Sequence, residues 1–122
     1  KIMRYSLQRN LILEKVRNSK LHPTAQQVFE QVMLELPKIS LATVYRDLNQ
    51  LADHNLIKTV RTDSTVRYDG DLSEHHHFHC QVCGKLFDLD ISLEEFVLNL
   101  KTNIKHDIMG YELILNGICK NC

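Results

Sequence analysis

Apolar side chains recur at helical spacing through the first fifty residues and give way to short, strand-like runs after them. In SLQRNLILEKVRN (6–18) the apolar positions Leu7, Leu11, Ile12 and Val16 fall on one side of a helix. HPTAQQVFEQVMLELP follows, where Thr24 and Gln27 form a Thr-x-x-Gln capping box that starts a second helix. That helix is expected to turn Ala25, Val28, Phe29, Val32, Met33 and Leu36 inward and to close at Pro37. A third, in ISLATVYRDLNQLADHNLI, takes Ser40 as its N-cap and puts Leu41, Val44, Leu48 and Leu51 on the buried stripe. IKTVRTD and TVRYDG then read as two strands of a hairpin with a turn near Asp63 and Ser64.

After Asp69 the pattern changes. HFHCQV and KLFDLD have the look of strands, and YELILNGIC is a third with alternating character. Between them SLEEFVLNLKTNIKH opens on a second capping box, Ser92-x-x-Glu95, and carries Phe96, Val97, Leu100 and Ile104 on one side. Strand, strand, helix, strand in about 50 residues is little material for an independent core, so a metal and a second subunit are the expected stabilisers.

Three helices followed by a two-stranded wing are the order of a winged helix-turn-helix, whose third helix enters the DNA major groove. Ser40 starts that helix, and its outward positions Thr43, Tyr45, Arg46, Asn49 and Gln50 are mostly side chains able to read base edges or phosphates. Arg61 and Arg67 on the hairpin are placed to reach phosphates or a minor groove. Asp47 and Asp53 are expected to point away from DNA. The competing reading of this half is a helical subdomain with a solvated polar face.

Composition adds two things. At 43% hydrophobic and 25% charged, the 122 residues read as globular, with no apolar run near the roughly 18 residues of a membrane span and no signal-peptide core. The expected location is the cytoplasm, and Lys1 in place of Met suggests that the sequence begins inside a longer natural chain. The net charge of zero conceals an asymmetry: residues 1–68 hold 11 Lys and Arg against 6 Asp and Glu, whereas 69–122 hold 4 against 9. A basic half suits a polyanion, and an acidic, histidine-rich half suits cations.

The chemistry is concentrated in EHHHFHCQVCG (74–84), where His75, His76, His77 and His79 run into Cys80-x-x-Cys83. A second pair, Cys119-x-x-Cys122, follows after 35 intervening residues. Two such knuckles favour a tetrahedral structural Zn²⁺ held by four thiolates. A thioredoxin-like redox pair is the weaker reading, because that motif opens a helix and Cys83 leads into the strand-like KLFDLD.

Taken in order, HPTAQQVF, SLATVYRDL, the RYD turn, HHHFHCQVCGK and GICKNC make the chain similar to the ferric uptake regulator family of bacterial metal-dependent repressors. The likeness covers essentially the whole chain, although a short N-terminal helix usual in the family is not expected here. It implies an α+β protein, with a winged-helix DNA-binding domain at 1–69, a hinge at 70–74 and a small α/β dimerisation and metal-binding domain at 75–122. It further implies a homodimer on an A·T-rich palindromic duplex. On an extended segment His75 and His77 share a face and Cys80 has the opposite parity, which frees the histidines for a second metal. The family's regulatory metal lies between its two domains, at positions corresponding to His22, Asp69, His75, His77 and Asp88. Three imidazoles and two carboxylates suit Fe²⁺ or Mn²⁺.

Two details bear on the signal. Aspartate at both carboxylate positions resembles the peroxide-responsive members, in which Fe²⁺ and H₂O₂ oxidise a ligand histidine, at positions matching His22 or His75. Arg46 instead matches the iron-uptake regulators, although that position bears on which operator is read and not on which signal is sensed; iron-level sensing is the alternative. A zinc sensor is disfavoured because neither Asp69 nor Asp88 is a cysteine. Glu74, His76 and Glu95 match an auxiliary metal site of some relatives, with Tyr111 where a histidine is often found. His54 and His79 are expected to be ordinary polar residues. Readings from other classes are a zinc hydrolase and a metal-storage module; the first lacks an evident general base, and the second leaves the three helices and wing unexplained.

Overall fold

The helical spacing of the first half becomes three helices in the computed structural model, which describes residues 6–19, 21–62, 65–73 and 75–122. α1 spans Leu7–Asn18, with the Ser6 hydroxyl accepting from the Arg9 amide at its start. α2 spans Ala25–Val32 and has the complete capping box: Thr24 Oγ1 accepts from the Gln27 amide at 3.2 Å, and Gln27 Oε1 accepts from the Thr24 amide at 2.9 Å. α3 spans Leu41–Asp53 behind the Ser40 cap. It ends on Asn55, whose φ of 59° lets the Leu56 amide reach back to Leu51 O and turns the chain towards the wing. β1 (Lys58–Thr62) and β2 (Thr65–Asp69) pair antiparallel, with Val60 opposite Arg67. The turn expected at Asp63 and Ser64 lies outside the described residues.

Ile12 and Val16 from α1, Val28 and Val32 from α2, and Val44, Leu48 and Leu51 from α3 interlock, closed by Ile57 and Tyr68. Each fully buried aliphatic side chain contributes on the order of 1.5–3 kcal/mol. Three expectations need correction here. α2 stops at Val32, not at Pro37, because amides of Leu34 and Glu35 bond three residues back and tighten the chain into turns. Met33 is consequently exposed, while Leu36 folds back onto the core. Leu7, expected on the inward side, is 77% exposed: as the first residue of α1 it precedes the buried positions Ile12, Leu13 and Val16.

In the second unit β3 (His76–Cys80) is the centre of a three-stranded sheet of order β4-β3-β5. It pairs antiparallel with β4 (Leu86–Leu89) and parallel with β5 (Ile114–Gly117). A parallel neighbour needs a crossover, which α4 (Glu94–Asn103) supplies. The capping box expected at Ser92 and Glu95 does not form: Leu93 occupies the N-cap, with no side chain capping the helix. No residue of α4 is buried, and Phe96, Leu100 and Ile104, expected on an inward face, are 60%, 38% and 38% exposed. The chain divides into two compact units, residues 1–73 and 74–122. No helix among the described residues is long and apolar enough to cross a membrane.

Candidate metal centres and nucleic-acid face

Strand registry brings the four cysteines together. Cys80 ends β3 opposite Gly117 of β5, two residues before Cys119. The chain reverses after Cys80 through Gly84, whose φ of 75° suits glycine, so that Cys83 returns beside its partner. The sulfur atoms all lie within 4.8 Å of one another, with Cys83 and Cys119 at 3.9 Å. A tetrahedron with arms of roughly 2.3 Å has edges close to that. Amides of Val82, Cys83 and Cys119 aim at the Cys80 sulfur at 3.3–3.4 Å. The amides of Cys83 and Cys119 draw the Cys80 thiol down to about 6, so its thiolate is present at neutral pH. Hydrogen bonding with Cys119, reinforced by burial, pushes Cys122 up to about 12. Four thiolates crowded this closely need a cation before the last can ionise, and the donor set fits Zn²⁺.

In the first unit His22 and Asp69 form a buried pair, with Nε2 to Oδ2 at 3.3 Å. β2 holds both. Asp69 is its last residue, and the segment carrying His22 lies along it: the Tyr68 amide donates to Pro23 O at 2.9 Å, and Thr24 bridges Arg67. His22 adopts φ 52°, a left-handed conformation that costs a non-glycine residue about 1 kcal/mol or more. The second oxygen of Asp69 accepts the Asp71 amide at 2.9 Å. Gly70 follows with no room for a side chain, since a Cβ there would come within 2.5 Å of the Arg17 Cα. Sequence reasoning missed Asp71; the Asp-Gly-Asp run was its available turn signal.

In the second unit His75, His77 and Asp88 converge. His77 and Asp88 are direct cross-strand partners, and Asp88 Oδ1 lies 3.2 Å from His77 Nε2 and 3.3 Å from His75 Nε2. The two rings meet edge to face at 4.7 Å. One carboxylate oxygen against two imidazole nitrogens is satisfied by a shared cation or proton. Nitrogen and oxygen donors suit Fe²⁺ or Mn²⁺ and contrast with the thiolate cluster. His76 is buried and stacks on Tyr111 at 5.7 Å. Glu95 is exposed on α4, and among the described residues neither it nor His76 joins a cluster of three metal-ligating side chains. Glu74 lies outside the described residues. His79 accepts or donates within a polar chain through Gln81 to Asn116, and His54 contacts Gln50 O at the end of α3.

α3 and the wing enclose a cleft of about 460 Å³, where Tyr45 and Asn49 face Arg61 and Thr65. Arg46 is exposed beside them. The Ser40 hydroxyl caps Thr43 and also donates to its Oγ1 at 2.9 Å. Gln26 and Thr59 line the same cleft and had no signal in the periodicity. α1 fixes the orientation of α3: Gln8 Nε2 donates to the buried Asp47 at 2.8 Å, and Arg9 Nη1 donates to Gln50 Oε1 at 3.0 Å. Asp47 thus points inward as expected, whereas Gln50 is occupied within the unit. Arg67 is half-buried and donates to His22 O at 3.1 Å, a partner 45 positions away that its place on the hairpin did not foretell.

Known proteins are similar along almost the whole length. A sequence profile described as "Ferric uptake regulator family" matches residues 1–114. The peroxide-responsive repressor PerR of Staphylococcus aureus (strain USA300) is 30% identical over 122 residues, covering 98% of this chain and 82% of that protein. The peroxide stress regulator of Campylobacter jejuni is 30% identical, with a TM-score of 0.81 over 94% of this chain and 88% of its own. The Helicobacter pylori ferric uptake regulator shares the fold at a TM-score of 0.89 and 24% identity, covering 98% of this chain and 82% of its own. The chain belongs to the ferric uptake regulator family.

Proposed function

We propose that the chain is a metal-dependent DNA-binding repressor whose grip on DNA is released by peroxide. The observation that carries this reading is the donor chemistry of the two aspartates. Asp69 faces His22, and Asp88 faces His75 and His77, in each case within 3.3 Å and without a sulfur ligand. In the proposal His22 and Asp69 of one unit and His75, His77 and Asp88 of the other hold a single Fe²⁺ or Mn²⁺. Ferrous iron held there would supply the chemistry that splits the peroxide O–O bond, so that one oxygen atom would end on a ligand imidazole, His22 or His75, which is oxidised by two electrons, and the other would leave as water. Cys80, Cys83, Cys119 and Cys122 hold Zn²⁺ separately, as a crosslink. Similarity to the peroxide-responsive repressor and the peroxide stress regulator supports the signal.

DNA is read by Ser40, Thr43, Tyr45, Arg46 and Asn49 from α3 and by Arg61 from the wing, two copies of the chain meeting successive major grooves of an A·T-rich palindrome. Residues 70–74 act as the hinge between the two domains. Metal that prefers the DNA-competent arrangement by about 1–3 kcal/mol is a sufficient switch. The protein works in the cytoplasm and turns over no substrate. The second reading is an iron-level sensor; Arg46 matches the iron-uptake regulators, but that position bears on which operator is read and not on which signal is sensed. The test is retention of an A·T-rich palindromic duplex with and without Mn²⁺, followed by Fe²⁺ loading and peroxide. A single-oxygen mass increase on the peptide holding His22 or His75, together with DNA release, is expected. Release without a mass change, tracking iron removal, would select the iron sensor.

A further inference from the structure

We propose that Arg67 is a positioning residue for the regulatory metal, acting through the main chain of His22, and not a phosphate contact of the wing. Its Nη1 donates to His22 O at 3.1 Å, and the carbonyl it grips belongs to the peptide joining His22 to Pro23. That peptide needs holding. A residue before proline is pushed by the proline ring towards extended conformations, yet His22 has φ 52°. Left to itself, the chain would swing the imidazole away from Asp69. A charge-assisted hydrogen bond to the carbonyl fixes the orientation of the peptide plane and with it the direction of the ring.

The placement within β2 makes this restraint part of the half-site. Arg67 stands two residues before Asp69 on the same strand. Thr24 bridges Arg67, and the Tyr68 amide takes Pro23 O at 2.9 Å, so the segment 22–24 is laid along the strand that ends in the carboxylate. Arg67 therefore presets His22 Nε2 at 3.3 Å from Asp69 Oδ2 before an ion arrives. Partners of this kind, one step removed from the ion, typically alter metal affinity about 10- to 100-fold when removed.

The inference rests on the reading of His22 and Asp69 as ligands, and the experiment separates the two. Zinc-loaded full-length chain would be titrated with Mn²⁺, free Mn²⁺ being followed by electron paramagnetic resonance, for wild type, Arg67→Met, Arg67→Lys and His22→Ala. DNA affinity and its salt dependence would be measured at saturating Mn²⁺. Arg67→Met is expected to weaken Mn²⁺ binding about 10-fold, with Arg67→Lys recovering part of the loss. DNA affinity at saturating Mn²⁺ should stay within about twofold of wild type, with an unchanged salt slope, because no phosphate contact is lost. A phosphate contact predicts the reverse: unaltered Mn²⁺ affinity, weaker DNA binding and a salt slope reduced by about one. That result, with His22→Ala still abolishing Mn²⁺ binding, overturns the role of Arg67 and leaves the metal site standing. Unaltered Mn²⁺ affinity in His22→Ala removes the ligand assignment and the inference with it. Should Arg67→Met fail to fold, Arg67→Lys decides: weakened Mn²⁺ binding at unchanged thermal stability and unchanged DNA affinity at saturating Mn²⁺ supports the positioning role, and wild-type Mn²⁺ affinity with weaker DNA binding overturns it.

Discussion

α3 and α4 are helices of similar length with opposite fates. α3 buries Val44, Leu48 and Leu51 completely or nearly so; α4 buries nothing, and leaves Phe96 and Leu98 60% and 62% exposed. The same contrast holds for the units that contain them. In residues 1–73 the three helices share an aliphatic core, at about 25 cal/mol for each Å² removed from water. In residues 74–122 the buried apolar positions among those described are Cys80 and Leu86, accompanied by three buried histidines. A sheet stabilised by that little burial needs other sources of stability. The thiolate cluster ties the β3–β4 turn to the end of β5, whereas the apolar residues Phe96 and Leu98 of α4 and Leu115 of β5 stay exposed. One unit is thus held by its own side chains, and the other leans on its thiolate cluster.

The largest test of that difference removes the crosslink. Cys80→Ser, or a strong chelator on the wild type, should abolish zinc binding and leave the second unit without a cooperative fold, since structural zinc in small domains contributes on the order of 10 kcal/mol. Hydrogen exchange would read it: amides of β3, β4 and β5 should lose protection while those of α1, α2 and α3 keep theirs. Retained protection in the β-strands without zinc would mean that the second unit has a sufficient core after all.

A smaller effect is expected from the aliphatic side. Leu48 is fully buried at the centre of the first unit, and Leu48→Ala should destabilise it by about 2–5 kcal/mol through lost contacts and the cavity left behind. Denaturant unfolding followed by helical circular dichroism gives the loss, and the zinc content of the purified variant should remain that of the wild type. If zinc is lost together with the helices, the two units do not stabilise independently and the contrast is overdrawn.

How much of this was legible follows the same division. Where apolar residues are buried by neighbours close in sequence, the spacing that predicts a helix is also the spacing that packs it, and α1 and α3 lie where the periodicity puts them, with α2 stopping short at Val32. Cys80, Cys83, Cys119 and Cys122 were legible because chelate spacing is a local property of the chain. His77 and Asp88 were found by resemblance; their cross-strand registry is a property of folding that no window of sequence contains. The bond from Arg67 to His22, across 45 positions, was invisible for the same reason. α4 was placed correctly as an element, but its inward face was not: the amphipathic pattern says which side seeks burial, not whether this chain alone supplies the cover.

The capping boxes carry this contrast to its finest scale, because the motif was read identically in both units. Thr24-x-x-Gln27 closes both of its hydrogen bonds; Ser92-x-x-Glu95 closes neither, its serine reaching only the Glu94 amide at 3.4 Å. The difference lies in what fixes the first turn. Ala25 and Val28 are buried immediately after Thr24, so α2 can begin at one residue only, and there the cap is in register. Around Ser92 no buried residue selects the first turn, and the start shifts to Glu94, where Glu94 and Glu95 both favour the positive end of the helix. Thr24→Ala should therefore cost about 1 kcal/mol. Ser92→Ala should cost less than roughly 0.5 kcal/mol, the usual size of a surface change. Paired thermal melts at the same zinc loading measure both. Equal losses would show that a cap alone can set a helix start without a buried stripe behind it, and that the weakness of the second unit does not extend to its local structure.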